Sequence, residues 1–142
     1  MSLYRNTASS HEIKQHLLAC EFNPPLEDYV DLDVYVDKII KNAERFEIWE
    51  EGQLVGFLAC YANNVATKES FITMVSVLPE ARGRGLALNL IIQAIEHCKK
   101  AGYKRMLLDV RTENKRALSV YEKQGFRPVS RNGDTLRMSQ DI

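Results

Sequence analysis

The 142-residue chain has only three cysteines, Cys20, Cys60 and Cys98, far apart and in no CxxC or Cys/His cluster. That spacing supports neither a disulfide framework nor a zinc site, and it fits a reducing compartment. No apolar run approaches the roughly 18 residues that span a bilayer, and the opening MSLYRNTASSHEIK lacks the apolar core of a signal peptide. A cytoplasmic protein without membrane contact is expected. Compositional bias is absent too: 45% hydrophobic and 27% charged residues lie in the globular range and exclude disorder, collagen and fibrous repeats. Neither GxxxxGK[ST] nor a completed GxGxxG occurs, which sets aside Walker and Rossmann nucleotide sites. No histidine pair at i, i+4 spacing offers a metal site, so no metal is expected.

Net charge is also missing, with 19 Lys and Arg against 19 Asp and Glu. The neutrality is a cancellation. Residues 1–70 carry six bases and twelve acids, whereas residues 71–142 carry thirteen bases and seven acids. Either two solvated faces or a C-terminal half facing an anion and an N-terminal half facing a cation would account for this. The length suits one domain over residues 1–142.

Periodicity supplies the elements. Ser9 and Glu12 have capping-box spacing ahead of Ile13, His16, Leu17 and Cys20, which predicts a first helix. Val34, Val36, Ile39 and Ile40 predict a second over residues 33–43. The period then falls to two: strands at residues 45–49 and 54–61 flank a turn at Glu50 to Gln53, Asn63-Asn64 marks the next turn, and residues 69–78 form a third strand before Pro79. Helix 84–100 uses Leu88, Ile91, Ile92, Ile95 and Cys98 and stops at Gly102. Strand 105–110, helix 114–124 and a hairpin about Asn132-Gly133 complete an α+β (mixed α/β) domain with one parallel strand pair.

Two segments carry chemistry. Val75 to Ala87 (VSVLPEARGRGLA) runs from strand through a Gly-rich turn into a helix N-terminus. Gly83 and Gly85 let backbone approach a ligand, and the first helical turn offers unpaired amides beside Arg82 and Arg84, a natural phosphate or pyrophosphate site. The second segment is Asn114 to Phe126 (NKRALSVYEKQGF). Asn114 and Tyr121 lie seven residues apart on one side of a helix, with Ala117 between them, forming a strip along which a chain-like ligand could lie.

In this order and spacing, V-x-V-x-P-x-x-R-G-x-G-x-A followed by N-x-x-A-x-x-x-Y-x-x-x-G-F resembles the GNAT superfamily, the Gcn5-related N-acetyltransferases, over about residues 46–138. The resemblance implies the GNAT fold, a splayed mixed sheet flanked by about four helices, with acetyl-CoA as cosubstrate wedged between strands ending at Val77 and Val110. It further implies that backbone amides of Arg82, Gly83, Arg84, Gly85, Leu86 and Ala87 hold the pyrophosphate. Backbone groups of Val75 to Val77, including Val75 and Val77 themselves, would pair with the pantetheine arm, Asn114 would bind cofactor, and Tyr121 would protonate the departing thiolate.

Leu108-Asp109-Val110-Arg111 with Asn114 resembles the L-E-V-R-x-x-N stretch of the ribosomal-protein N-terminal acetyltransferases of that superfamily, which casts Asp109 as the base. A structural reading pairs Asp109 with Arg105 or Arg111 along the strand. Those relatives join their last two strands by a long loop, whereas Asn132-Gly133 here is tight, so a small-molecule amine is expected in preference to a peptide. Ten acids against three bases in residues 21–51 would suit a cation. Homodimerisation is left open. The rival readings are a non-catalytic acyl-CoA-binding or sensing module and a protein N-terminal acetyltransferase. Nucleic-acid binding is not expected, because no aromatic platform or recognition motif accompanies the basic half.

Overall fold

Local signals set the first helix. In the computed structural model, which describes all 142 residues, the Ser9 hydroxyl accepts from the Glu12 amide while the Glu12 carboxylate accepts from the Ser9 amide, and α1 runs Ser10–Ala19. Its predicted apolar face, Ile13, His16 and Leu17 with Cys20 just beyond, is buried. Asp31 caps α2 (Leu32–Asn42). Of its predicted face, Val36 and Ile39 are buried and Val34 is exposed, because Leu32 takes the place toward the sheet.

A strand precedes α1 that the polar N-terminus did not suggest. β1 (Ser2–Arg5) pairs antiparallel with β2 (Glu44–Glu50) as an edge strand exposed along its length. Such a strand buries nothing and so leaves no hydrophobic alternation to read. β2 forms the predicted hairpin with β3 (Gln53–Asn64). β3 continues through Asn63-Asn64, so the turn into β4 (Glu69–Val77) falls three residues later than expected. α3 (Leu86–Lys100), β5 (Arg105–Arg111), α4 (Lys115–Gln124), β6 (Arg127–Asn132) and β7 (Thr135–Asp141) follow in the predicted order.

One seven-stranded mixed sheet results, in the order β1-β2-β3-β4-β5-β7-β6. Helices cover both faces. Ile13, Leu17, Val36 and Ile39 pack with Phe57 and Ala59 on one face. On the other, Leu90, Ile91, Ala94 and Cys98 of α3 pack with Leu58, Ile72, Met106, Leu108 and Phe126, and α4 joins them through Leu118 and Tyr121. Leu88 and Ile92, predicted for this face, are exposed at 37% and 42%, and Leu86, Leu90 and Ala94 fill the core instead. Gly56 brings α3 close to the sheet: a Cβ there would lie 3.3 Å from Leu90 Cδ1. Cys60 and Cys98 are free thiols with sulfurs 3.9 Å apart inside this core.

Register, not the mere presence of strands, creates the central feature. β4 and β5 are parallel, as predicted, but pair over only four steps, Glu69↔Arg105 to Ile72↔Leu108. Beyond that point β4 stays with β3 as far as Val77↔Gly56, and β5 stays with β7 as far as Arg111↔Thr135. The divergence begins at a bulge. Ala59 pairs with Met74 and Cys60 with Ile72, so Thr73 is an extra residue on β4. Such a bulge bends and twists its strand. Thr73 to Val77 and Asp109 to Arg111 therefore line the two sides of a V-shaped gap.

Candidate active site

The wide end of the gap lies where β4 passes into the Gly-rich turn. Gly83 and Gly85 have φ of +79° and +74°, a region that costs an L side chain about 1–2 kcal/mol. A Cβ on either would meet no atom within 4 Å, so the constraint is backbone conformation and open space. Gly85 is the α3 N-cap and supplies no capping side chain. The amides of Gly83, Arg84, Gly85, Leu86, Ala87 and Leu88 consequently donate to no protein acceptor, the first α3 amide bond being Asn89 to Gly85. Six consecutive free N–H groups at a helix start, where the dipole adds about half a positive charge, form an anion cradle.

The two arginines of this turn have other employment. Arg82 donates from Nε to the Val77 carbonyl (3.2 Å) and from Nη2 to the Cys20 carbonyl (2.6 Å), tying the turn to the ends of β4 and α1. Arg84 forms a two-point ion pair with Glu50 in the β2–β3 hairpin, one contact at 2.9 Å. That pair holds the Glu50 carboxyl below its usual range and raises the Arg84 guanidinium, chiefly by hydrogen bonding. The cradle's attraction for an anion therefore rests on the backbone.

Asn114 is the α4 N-cap: its Oδ1 accepts from the Ala117 amide at 3.2 Å, which leaves its NH2 to donate elsewhere. Seven residues on, Tyr121 packs edge-to-face on Phe126, with centroids 6.1 Å apart, on the α3/α4 side of the sheet. Burial pushes its phenol up to about 12, and no hydrogen bond offsets that shift. The group is therefore a firmly protonated O–H.

Asp109 lies on the opposite face, because its neighbours Leu108 and Val110 point into the α3/α4 core and strand side chains alternate. Its partner is neither Arg105 nor Arg111. Arg137, directly across on β7, donates from Nε to Oδ1 (2.8 Å) and from Nη2 to Oδ2 (3.0 Å). Arg105 instead meets Glu69 and Asp141, and Arg111 meets Glu113. Cross-strand partners 28 residues apart in sequence cannot be read from strand spacing, which explains the mismatch.

Two features near the gap carry no sequence motif. His16 is buried: Nδ1 donates to the Leu54 carbonyl (2.8 Å), and Nε2 accepts from the Ser76 hydroxyl (2.8 Å), joining α1 to β3 and β4. Burial lowers its pKa, so it stays neutral, while hydrogen bonding to the backbone at Leu54 and Ser76 opposes that shift. Tyr35 of α2 donates its hydroxyl to the Thr73 carbonyl (2.9 Å) and lies 2.9 Å from the Thr73 Oγ1, pinning the bulge. Its helical spacing marked neither its face nor its partner.

Residues 11–126 match the model of the Acetyltransferase (GNAT) family. An uncharacterised N-acetyltransferase, MJ1207 of Methanocaldococcus jannaschii, is 39% identical over 95 residues, 64% of this chain and 42% of that protein. N-alpha-acetyltransferase MAK3 of Arabidopsis thaliana is 32% identical over 82 residues, 57% of this chain and 43% of that protein. The chain thus spans less than half the length of these two relatives. The PaiA N-acetyltransferase of Thermoplasma acidophilum, solved with coenzyme A, superimposes with a TM-score of 0.77 over 100% of both chains at 16% identity, a likeness of fold.

Proposed function

Because the chain belongs to the GNAT acetyltransferase family, we propose that it transfers an acetyl group from acetyl-CoA to a primary amine on a small molecule, by direct attack in a ternary complex. The carrying observation is the V-shaped gap between β4 and β5 with six free amides at its wide end. The unpaired strand edge from Thr73 to Val77 suits an extended pantetheine arm, and the amides of Gly83 to Ala87 suit its pyrophosphate. Arg82 acts here by holding the turn in place. Val75 and Val77 contribute backbone, and the free Asn114 amide is a further cofactor donor. Acetyl-CoA supplies the activated acetyl group: the amine nitrogen bonds to the carbonyl carbon as the C–S bond breaks, and thiolate leaves.

The protein's groups divide by face. Tyr121, on the α3/α4 side, gives its proton to the leaving sulfur. Asp109, on the α1/α2 side, keeps one outer lone pair on each oxygen after binding Arg137, enough to accept from the incoming amine N–H. The amine's proton passes to water, and the Tyr121 phenolate is reprotonated from solvent. Tyr35 and Thr73 shape the approach.

A small acceptor is favoured because β6 and β7 are joined by Gly133-Asp134 alone, so no long loop covers a peptide. Similarity to an N-alpha-acetyltransferase supports peptide N-termini as the second reading. The test is CoA-thiol release from acetyl-CoA across a panel of small amines and short peptides, with the acetylated product identified by mass. Release with small amines supports the reading, and release with peptides alone moves it to the second. Thermal stabilisation by acetyl-CoA without release on any acceptor would mark a binding or sensing module.

A further inference from the structure

The acids of residues 21–51, expected to attract a cation, are largely engaged within the protein. Asp31 caps α2, Asp33 pairs with Lys14 at 2.7 Å and Asp37 pairs with Lys41 at 2.9 Å. Glu44 accepts from Asn6, Glu50 pairs with Arg84, and Glu47 is buried under donors from Thr7, Ala8 and Trp49. Six of the ten thus have internal partners, and the number of acids no longer argues for a polycationic acceptor.

A different charged group stands at the gap. The Arg137 side chain starts on β7, crosses β5, and places its guanidinium carbon 5.3 Å from the centroid of the Phe71 ring on β4. Phe71 immediately precedes Ile72, where β4–β5 pairing ends, so this guanidinium lies at the closed end of the gap. It is on the Asp109 face, the same face on which α1 and α2 pack over β3 and where Tyr35 reaches Thr73. The cation–π contact with Phe71 holds the guanidinium in place, and the two-point bond to Asp109 orients it by using Nε–H and one Nη2–H. A guanidinium has five N–H donors. Three remain, and one each on Nη1 and Nη2 forms a second fork of the geometry that takes a carboxylate end-on. The side chain is 45% exposed, so that fork can be reached.

We propose that Arg137 is the acceptor-recognition residue and that its free fork binds a carboxylate carried by the amine substrate, which makes the acceptor an amino-carboxylate. This rests on the acetyltransferase reading. The outer lone pairs of Asp109 lie beside the fork, so the pair presents an acceptor for an ammonium next to a donor set for a carboxylate, the complement of a zwitterion.

The test uses the full chain with acetyl-CoA and matched amines: a series of amino acids, their carboxamides, and the corresponding decarboxylated amines, read by CoA release. For at least one series, kcat/KM is expected to favour the carboxylate by about 10-fold, the low end for a charge-assisted contact at a half-exposed site. In Arg137→Leu that ratio falls toward 1, and Arg137→Lys, which keeps charge without the fork, retains an intermediate preference. A purely structural role would lower all rates together and leave the ratio intact, which overturns the proposal. So does a wild-type enzyme that treats all three forms alike or prefers the decarboxylated amine. Failure of every amine in the presence of bound acetyl-CoA overturns the acetyltransferase reading itself, and the proposal with it.

Discussion

Replacing Tyr121 by Phe removes one O–H and leaves the ring that packs edge-to-face on Phe126. No internal hydrogen bond is lost, so folding stability stays within about 1 kcal/mol of wild type. The chemical cost follows from the phenol's position near 12. Against a thiol near ~8.5, full proton transfer ahead of C–S cleavage would be uphill by about 3.5 units, on the order of 5 kcal/mol. Tyr121 therefore gives its proton only as negative charge grows on sulfur, and so weak an acid works at the lower end of the general-acid range. The expected loss is about 100-fold in kcat. The KM for acetyl-CoA should be unchanged, since the hydroxyl contributes little until charge develops. Steady-state CoA release at saturating amine separates the two constants. The wild-type rate should rise as the amine loses its proton and show no falling limb through pH 10, because ionisation of a phenol near 12 lies beyond that range. A kcat within threefold of wild type would refute the reasoning. So would a falling limb centred below pH 9 that Tyr121→Phe abolishes.

His16 and Glu47 give two stability predictions. The folded-state pKa of His16 is lowered, so below its unfolded value of about 6.5 the unfolded chain binds a proton that the native state does not. Stability is fully present above that value and falls with decreasing pH, by up to about 1.4 kcal/mol per unit, until the folded pKa is reached. Urea melts at pH 7.5 and 5.5 should show this loss, and His16→Gln should flatten it; an unchanged slope would clear His16. The Glu47 carboxylate accepts from the Thr7 amide (3.0 Å), the Ala8 amide (2.9 Å) and Trp49 Nε1 (3.1 Å) while fully buried. Glu47→Ala leaves those donors without a partner and should cost about 3–5 kcal/mol by urea denaturation, with a loss under 1 kcal/mol contradicting the assignment.

Most of the element order and the anion cradle are legible along the chain, since both arise from neighbouring residues. Ser9 and Glu12 cap α1 through contacts three residues apart, Gly83 and Gly85 set their own backbone, and the amides they free belong to the same turn. The spacing from Asn114 to Tyr121 likewise placed both on one helix. What tertiary structure decided are the properties that depend on partners distant in sequence. The gap exists because Thr73 is an extra residue opposite β3, and pairing with β5 stops beside it; both facts belong to register. Asp109 drew Arg137 from another strand in place of its nearer arginines, His16 found Ser76 sixty residues away, and Glu50 claimed Arg84. The zero net charge followed the same course. Its acidic half is explained largely by internal partners that only folding brings within reach, because charges find one another through space and sequence records only their number.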